Sequence, residues 1–143
     1  MKGQVSAELI AIIGLVLALF IPLLLTVYVK TNESNQQLYN VQAELVSTRL
    51  AYLINSVGNL GQGSSILADV FIPPYITRIQ ISNLGRGSQV IVRMNTPSGE
   101  SEISDAIRFS INPASSVDLR NPRQGLRRFN ISYIGEYVVV RVV

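Results

Sequence analysis

From Leu9 to Val29 the chain reads LIAIIGLVLALFIPLLLTVYV, an apolar run without one charged side chain. A helix of this length rises far enough to cross a bilayer core, which takes about 20 residues at 1.5 Å each. Backbone in hydrocarbon must satisfy its own hydrogen bonds, so a single spanning segment has to be helical. A secretory signal is one rival reading. Its apolar region, however, spans about 7–15 residues and ends in a small-residue cleavage site, whereas Tyr28, Val29 and Lys30 follow here. A plain single-pass anchor is the second rival, and hydropathy alone leaves it open.

The 143 residues leave room for one folded domain, and 48% hydrophobic content against 15% charged is an apolar excess that sits at the front, in this run. The chain has no Cys, His or Trp. That removes thiolate nucleophiles, imidazole bases, zinc sites built from Cys and His, and disulfides. Ser is plentiful, yet without His or Cys no nucleophile has an evident base beside it, so neither an enzymatic activity nor a cofactor is expected. The net charge of +3 is a mild excess and calls for no specific nucleic-acid partner.

Ahead of the run stands Met1-Lys2-Gly3-Gln4-Val5-Ser6-Ala7-Glu8. A basic residue, a glycine, a polar start and then a lone carboxylate one turn in resembles the class III signal of type IV pilins. The order Gln4, Ser6, Glu8, with Ile12 where the pattern has leucine, is similar to the archaeal branch of that family. The resemblance implies that a prepilin peptidase cuts between Gly3 and Gln4, leaving Glu8 as the fifth residue of the mature chain. It also implies a pilus assembly ATPase and membrane platform as partners, and a place in the cytoplasmic membrane before export into an extracellular filament. Archaellins usually lack a glutamate at this place, which favours a pilus for adhesion over a rotary filament.

An ionised carboxylate at the edge of an apolar helix costs about 2.5–3.5 kcal/mol at bilayer depth, so Glu8 belongs at the interface or in a pair. The α-amino group of Gln4 on a neighbouring subunit, freed by cleavage, is a cation near neutral pH and supplies a partner that sets subunit register. The other reading leaves Glu8 at headgroup level, favouring the helix dipole. Pro22, inside the run, removes a hydrogen bond and is the expected position of a helix kink.

Past Lys30 the residues Leu38, Val41, Leu45, Leu53, Val57 and Leu60 recur at helical spacing. Gly58 and Gly61 to Gly63 supply the stop. One helix of about 80 Å is expected from Ser6 to near Asn59. Thereafter the period changes to two. Ile76–Ser82 and Gln89–Met94 read as strands about a turn at Leu84-Gly85-Arg86-Gly87, and Pro97-Ser98-Gly99 makes the next turn. Ala106–Ile111 reads as a further strand, and Arg128–Ile134 with Tyr137–Val143 forms a hairpin about Gly135-Glu136. The predicted class is α+β: a long N-terminal helix packed on a small antiparallel head of four or five strands. Its parts are a signal at 1–3, an apolar assembly helix at 4–30, an amphipathic continuation at 31–62 and a β head at 63–143.

Four arginines, Arg120, Arg123, Arg127 and Arg128, stand in a stretch with Asn121, Pro122 and Gly125 that reads as a loop, either a contact for anionic surfaces or a solvated cluster. Asn32-Glu33-Ser34 and Asn130-Ile131-Ser132 are N-glycosylation sequons, Asn32 being the better placed, just beyond the apolar run. Glu100, Glu102 and Asp105 lack the spacing of a recognised cation site and read as a solvated turn. Val138 to Val143 is core if its strand is central and a pairing edge if it is not. Two functions remain: a structural subunit that polymerises with copies of itself through its apolar helix, or a membrane-anchored binding module, or minor pilin, that does not form the bulk fibre.

Overall fold

The computed structural model describes the backbone of residues 2–83 and 87–143, and side chains from Ser6 onward within those ranges. The elements in chain order are α1 (Lys2–Leu60), β1 (Ser65–Ile72), β2 (Ile76–Asn83), β3 (Ser88–Thr96), β4 (Gly99–Ile107), β5 (Val117–Arg120), β6 (Gly125–Ile134) and β7 (Tyr137–Val142). A 3-10 turn lies at Pro113–Ser115. The class is α+β, one long N-terminal helix and antiparallel sheets. Two compact units result, Met1–Gln37 and Leu38–Val143.

Helix α1 is unbroken through Pro22. Proline lacks the N–H of a helical bond, and the hydroxyls nearby turn back onto the helix. Thr26 donates to the Pro22 carbonyl at 2.8 Å and Thr31 to the Val27 carbonyl at 2.9 Å. The expected stop falls at Leu60, where Gly61 adopts φ 90° and sends its N–H to the Gly58 carbonyl. Ser64 closes the end, its hydroxyl lying 2.9 Å from the Val57 carbonyl and 2.6 Å from that of Gly61. Gly58, expected as part of the stop, instead lies within the helix. A Cβ there would clash with the ring of Phe109, so its absence is what lets helix and ring approach.

The head corrects the expected strand count. Among the described residues seven strands form two sheets, β1-β6-β7 and β4-β3-β2-β5, every named pair antiparallel. The β2–β3 pair, the Pro97-Ser98 turn between Thr96 and Gly99, and the β6–β7 hairpin stand as expected. The turn residues Leu84, Gly85 and Arg86 lie outside the described residues. Strand β4 begins at Gly99 and ends at Ile107, so the strand expected over Ala106–Ile111 is displaced toward the N-terminus. Its segment GESEISDAI buries only the odd positions Ser101, Ile103, Asp105 and Ile107 to any degree, and an edge strand with one wet face shows little apolar alternation to a reader of sequence. Strands β1 and β5 were also not foreseen. The first carries Asp69 and two outward apolar residues, and the second has four residues.

The core joins α1 to both sheets. From the helix come Ala43, Val46, Leu50, Ala51, Ile54 and Val57. The strands add Val70, Ile72, Ile79, Ile81, Val90, Val92, Met94, Phe129, Ile131, Val138 and Val140. The helix face is therefore not the one the spacing predicts. Val57 is buried and Leu53 partly so, but Leu38, Val41, Leu45 and Leu60 face outward. The buried face is lined by small residues, Ala43, Ser47, Ala51 and Gly58, because a helix seated close on sheets has no room for larger ones. Two apolar stripes share one helix, and spacing cannot say which is covered.

Strand β7 resolves the alternatives for the C-terminal valines. It is an edge of its sheet, yet Val138, Val139 and Val140 are buried. The outer edge is taken up in part by the chain at 110–112: Val138 N–H donates to the Ser110 carbonyl and Asn112 N–H to the Val138 carbonyl, at 2.9 and 3.0 Å.

Candidate functional site

The apolar segment is the feature that a soluble fold does not account for. Every large hydrophobic side chain from Leu9 to Val29 is exposed, from 46% at Val16 to 69% at Leu19. Left in water, each forfeits on the order of 1.5–3 kcal/mol that burial would return, so water is not the medium this surface is built for. The helix is long and apolar enough to cross a membrane. Glu8 stands immediately before that run. Gly3 and Gln4 fall outside the residues whose side chains are described, so the expected cleavage point and the Glu8 partner carry no side-chain geometry. Beyond the run, Lys30 and Glu33 form an exposed i,i+3 ion pair at 2.8 Å, and Asn32 lies exposed beside them on the helix.

The second sequon is placed less favourably. Asn130 lies within β6, the central strand of its sheet, with Leu67 and Arg141 opposite it on the neighbouring strands and fully buried Ile131 next in sequence. A glycan acceptor has to present an accessible, adaptable backbone, which Asn32 does better than a paired central strand.

The four arginines do not share a loop. Arg120 ends β5, Arg127 and Arg128 lie in β6, and only Arg123 is in the connection between them. Adjacent strand residues point to opposite faces, which separates Arg127 from Arg128. Two of the four are engaged: Arg128 donates to Asp69 through Nε at 2.8 Å and its terminal nitrogen at 3.1 Å, and Arg120 lies 3.5 Å from Asp118. Asp118 is held mainly by Arg78, in a two-pronged contact at 2.7 and 2.8 Å across the β2–β5 pair. These hydrogen bonds, Arg128 on Asp69 and Arg78 on Asp118, hold both carboxyls below the ordinary aspartate range, slight burial working against them.

The acidic trio is likewise not one turn. Glu100, Glu102 and Asp105 all lie in β4, and the strand sends Asp105 to the face opposite the two glutamates. Glu102 accepts from Arg93 at 2.6 Å, and Asp105 accepts from the Thr48 hydroxyl of α1 at 3.1 Å. Among the described residues no group of three or more His, Cys, Asp or Glu is placed to hold a metal ion.

Between α1 and β1 runs an apolar groove of about 240 Å³, lined by Gln42, Leu45, Val46, Arg49, Val70, Phe71 and Pro73. Beyond it the ring of Tyr75, a residue at φ 79°, packs against that of Tyr39 at a tilt of 39°, with centroids 4.2 Å apart. Sequence reading missed this side of the head because it arises where two distant segments meet. The one available signal was the doubled apolar pattern of α1 itself. Set against known proteins, the chain matches no family model, no curated protein and no solved structure.

Proposed function

We propose that the chain is the structural subunit of an extracellular filament of the type IV pilus kind, similar to the archaeal pilins, whose apolar N-terminal helix waits in the cytoplasmic membrane and then packs with copies of itself. The observation that carries this reading is the division of labour along α1. Its stretch from Leu9 to Val29 offers only exposed apolar side chains, while its stretch from Ala43 to Val57 supplies the core of a β head. A helix that served only as an anchor has no need to continue as the structural spine of the domain it holds.

In this reading prepilin peptidase cuts after Gly3, Glu8 pairs with the new amino group of Gln4 on the next subunit, and Pro22 gives the helix a bend. Moving from lipid to a bundle of helices exchanges one apolar surrounding for another, so assembly gains packing and not hydrophobic transfer. It therefore draws on an assembly ATPase and membrane platform, and the chain itself performs no chemistry. The head, outermost on the fibre, is the adhesive part.

The test is the intact mass and N-terminal sequence of this protein in filaments sheared from cells. A chain that begins at Gln4 and dominates the fibre supports the reading. A chain confined to membranes and still beginning at Met1 overturns it and leaves an anchored binding module.

A further inference from the structure

The face of α1 opposite the core carries a second apolar stripe that the head leaves bare: Leu38, Val41, Leu45 and Tyr52, exposed by 52%, 53%, 64% and 69%. Their spacings of three, four and seven are the a and d positions of a heptad, with Thr48 at the d position between Leu45 and Tyr52. At about 100° per residue the four lie in a strip roughly 60° wide, well away from Ala43, Leu50, Ile54 and Val57. A seam of this pattern accepts the ridge of another helix, knobs into holes, better than it accepts a strand or a loop.

The two flanks of the stripe carry opposite charge. Glu44 lies on the g side, and Asp105 accepts from Thr48, at the d position of the seam, at 3.1 Å. Arg49 lies on the e side, near Asp69, whose carboxylate is bonded to Arg128. Glu44 and Arg49 are exposed, and neither takes part in an ion pair among the described residues. In a parallel pair of helices in register, the g residue of one copy meets the e residue five positions on in the other. Glu44 then faces Arg49 of a second copy, twice by symmetry. An antiparallel pair would bring g to g, setting Glu44 against Glu44, so the charges select the parallel arrangement.

We propose that this stripe is the contact between two copies of the chain that stand side by side in the membrane, parallel and in register, before any fibre forms. The inference rests on reading Leu9–Val29 as inserted in the membrane. Chains inserted from one side to one depth are parallel and level, which is the geometry that the charges select. Subunits of a helical fibre are offset along its axis, so contacts between identical positions distinguish the membrane pair from the fibre.

The chain has no cysteine, so single cysteines report without background. In membranes containing the full-length chain, mild oxidation of V41C and L45C is expected to give same-position disulfide dimers. N40C, exposed but off the stripe, is expected to give none. Adding E44R to L45C turns two attractive contacts into repulsive ones and lowers the dimer yield several-fold, and adding R49E as well restores it. Equal yields from L45C and N40C, no dimer from L45C, or no restoration by the double reversal overturns the pairing. Alkaline carbonate extraction of the same membranes tests the premise separately. Release of the chain overturns the membrane reading and the pairing with it, whereas retention without L45C dimers overturns the pairing alone.

Discussion

The side-chain amide of Asn83 pairs with both backbone groups of Ile111. Its Nδ2 donates to the Ile111 carbonyl at 2.6 Å, and its Oδ1 accepts the Ile111 N–H at 3.0 Å. The residues flanking Ile111 turn the other way, Ser110 and Asn112 bonding to Val138. A short segment without a strand of its own thus joins the end of β2 in one sheet to β7 in the other. Ile111 is fully buried, so these groups have no water to fall back on. Asn83→Ala is expected to destabilise the head by about 2 kcal/mol, the cost of one buried carbonyl left without a partner while Ser88 Oγ at 3.2 Å still serves the N–H. Asn83→Asp, which puts a carboxylate oxygen against that carbonyl, is expected to cost at least as much. Chemical denaturation of the three proteins checks both.

Ser47 presents the reverse situation. Its hydroxyl is fully buried on the core face of α1 and has no hydrogen-bond partner among the described residues. Ser47→Ala removes an unpaid desolvation and places the best helix former in the helix, so the head is expected to gain about 1 kcal/mol. A denaturation midpoint that does not rise would contradict this.

At Gly58 two effects oppose each other. Gly58→Ala gains about 1 kcal/mol of helix propensity, but the new methyl clashes with the Phe109 ring. That ring is backed edge-on by Tyr133, with centroids 6.0 Å apart. Overpacking of this kind costs about 1–3 kcal/mol, so net destabilisation is expected. Combining Gly58→Ala with Phe109→Ala should recover part of the loss, and a thermal melt of the pair of variants measures it.

Asp69 and Asp118 bind their protons less readily when folded than when unfolded, because Arg128 and Arg78 hold the ionised forms. Their contribution to stability is therefore complete above the ordinary aspartate value of about 4 and is lost as pH falls from there through the lowered folded values. Asp69→Asn is expected to flatten that acid limb and to lower stability near neutrality by the same small amount, small because both pairs lie at the surface. The check is a series of denaturation midpoints against pH for the parent chain and the variant.

For Glu8 the proposed register contact makes a sharper demand than anchoring does. Glu8→Ala is expected to leave the chain in the membrane fraction and to deplete it from sheared filaments, measured by immunoblot of the two fractions. Unchanged recovery in filaments would remove the register role.

Some of this protein was legible before any tertiary structure. An uncharged apolar run of bilayer length is a local property, and so are the Gly61 stop and the Gly135-Glu136 hairpin, each decided by residues next to one another in the chain. Period-two alternation located β2, β3, β6 and β7, because each has a clear inner face. What escaped were segments whose strand character depends on a partner. Strand β4 is polar on one face, β5 has four residues, and β1 becomes a strand through its antiparallel pairing with β6.

The same distinction governs the candidate surfaces. The sequence by itself determined that α1 is apolar beyond what one packed face requires, since Leu38, Val41, Leu45 and Leu50, Ile54, Val57 are all in plain view. Only the tertiary structure decided which stripe is core, because burial depends on where the sheets rest, and they rest on the stripe with small residues. It also drew the four arginines apart and brought Asp69 to Arg128 and Asn83 to Ile111. Charge pairing and hydrogen bonding act through distances of a few ångströms, and the fold sets those distances between residues far apart in the chain.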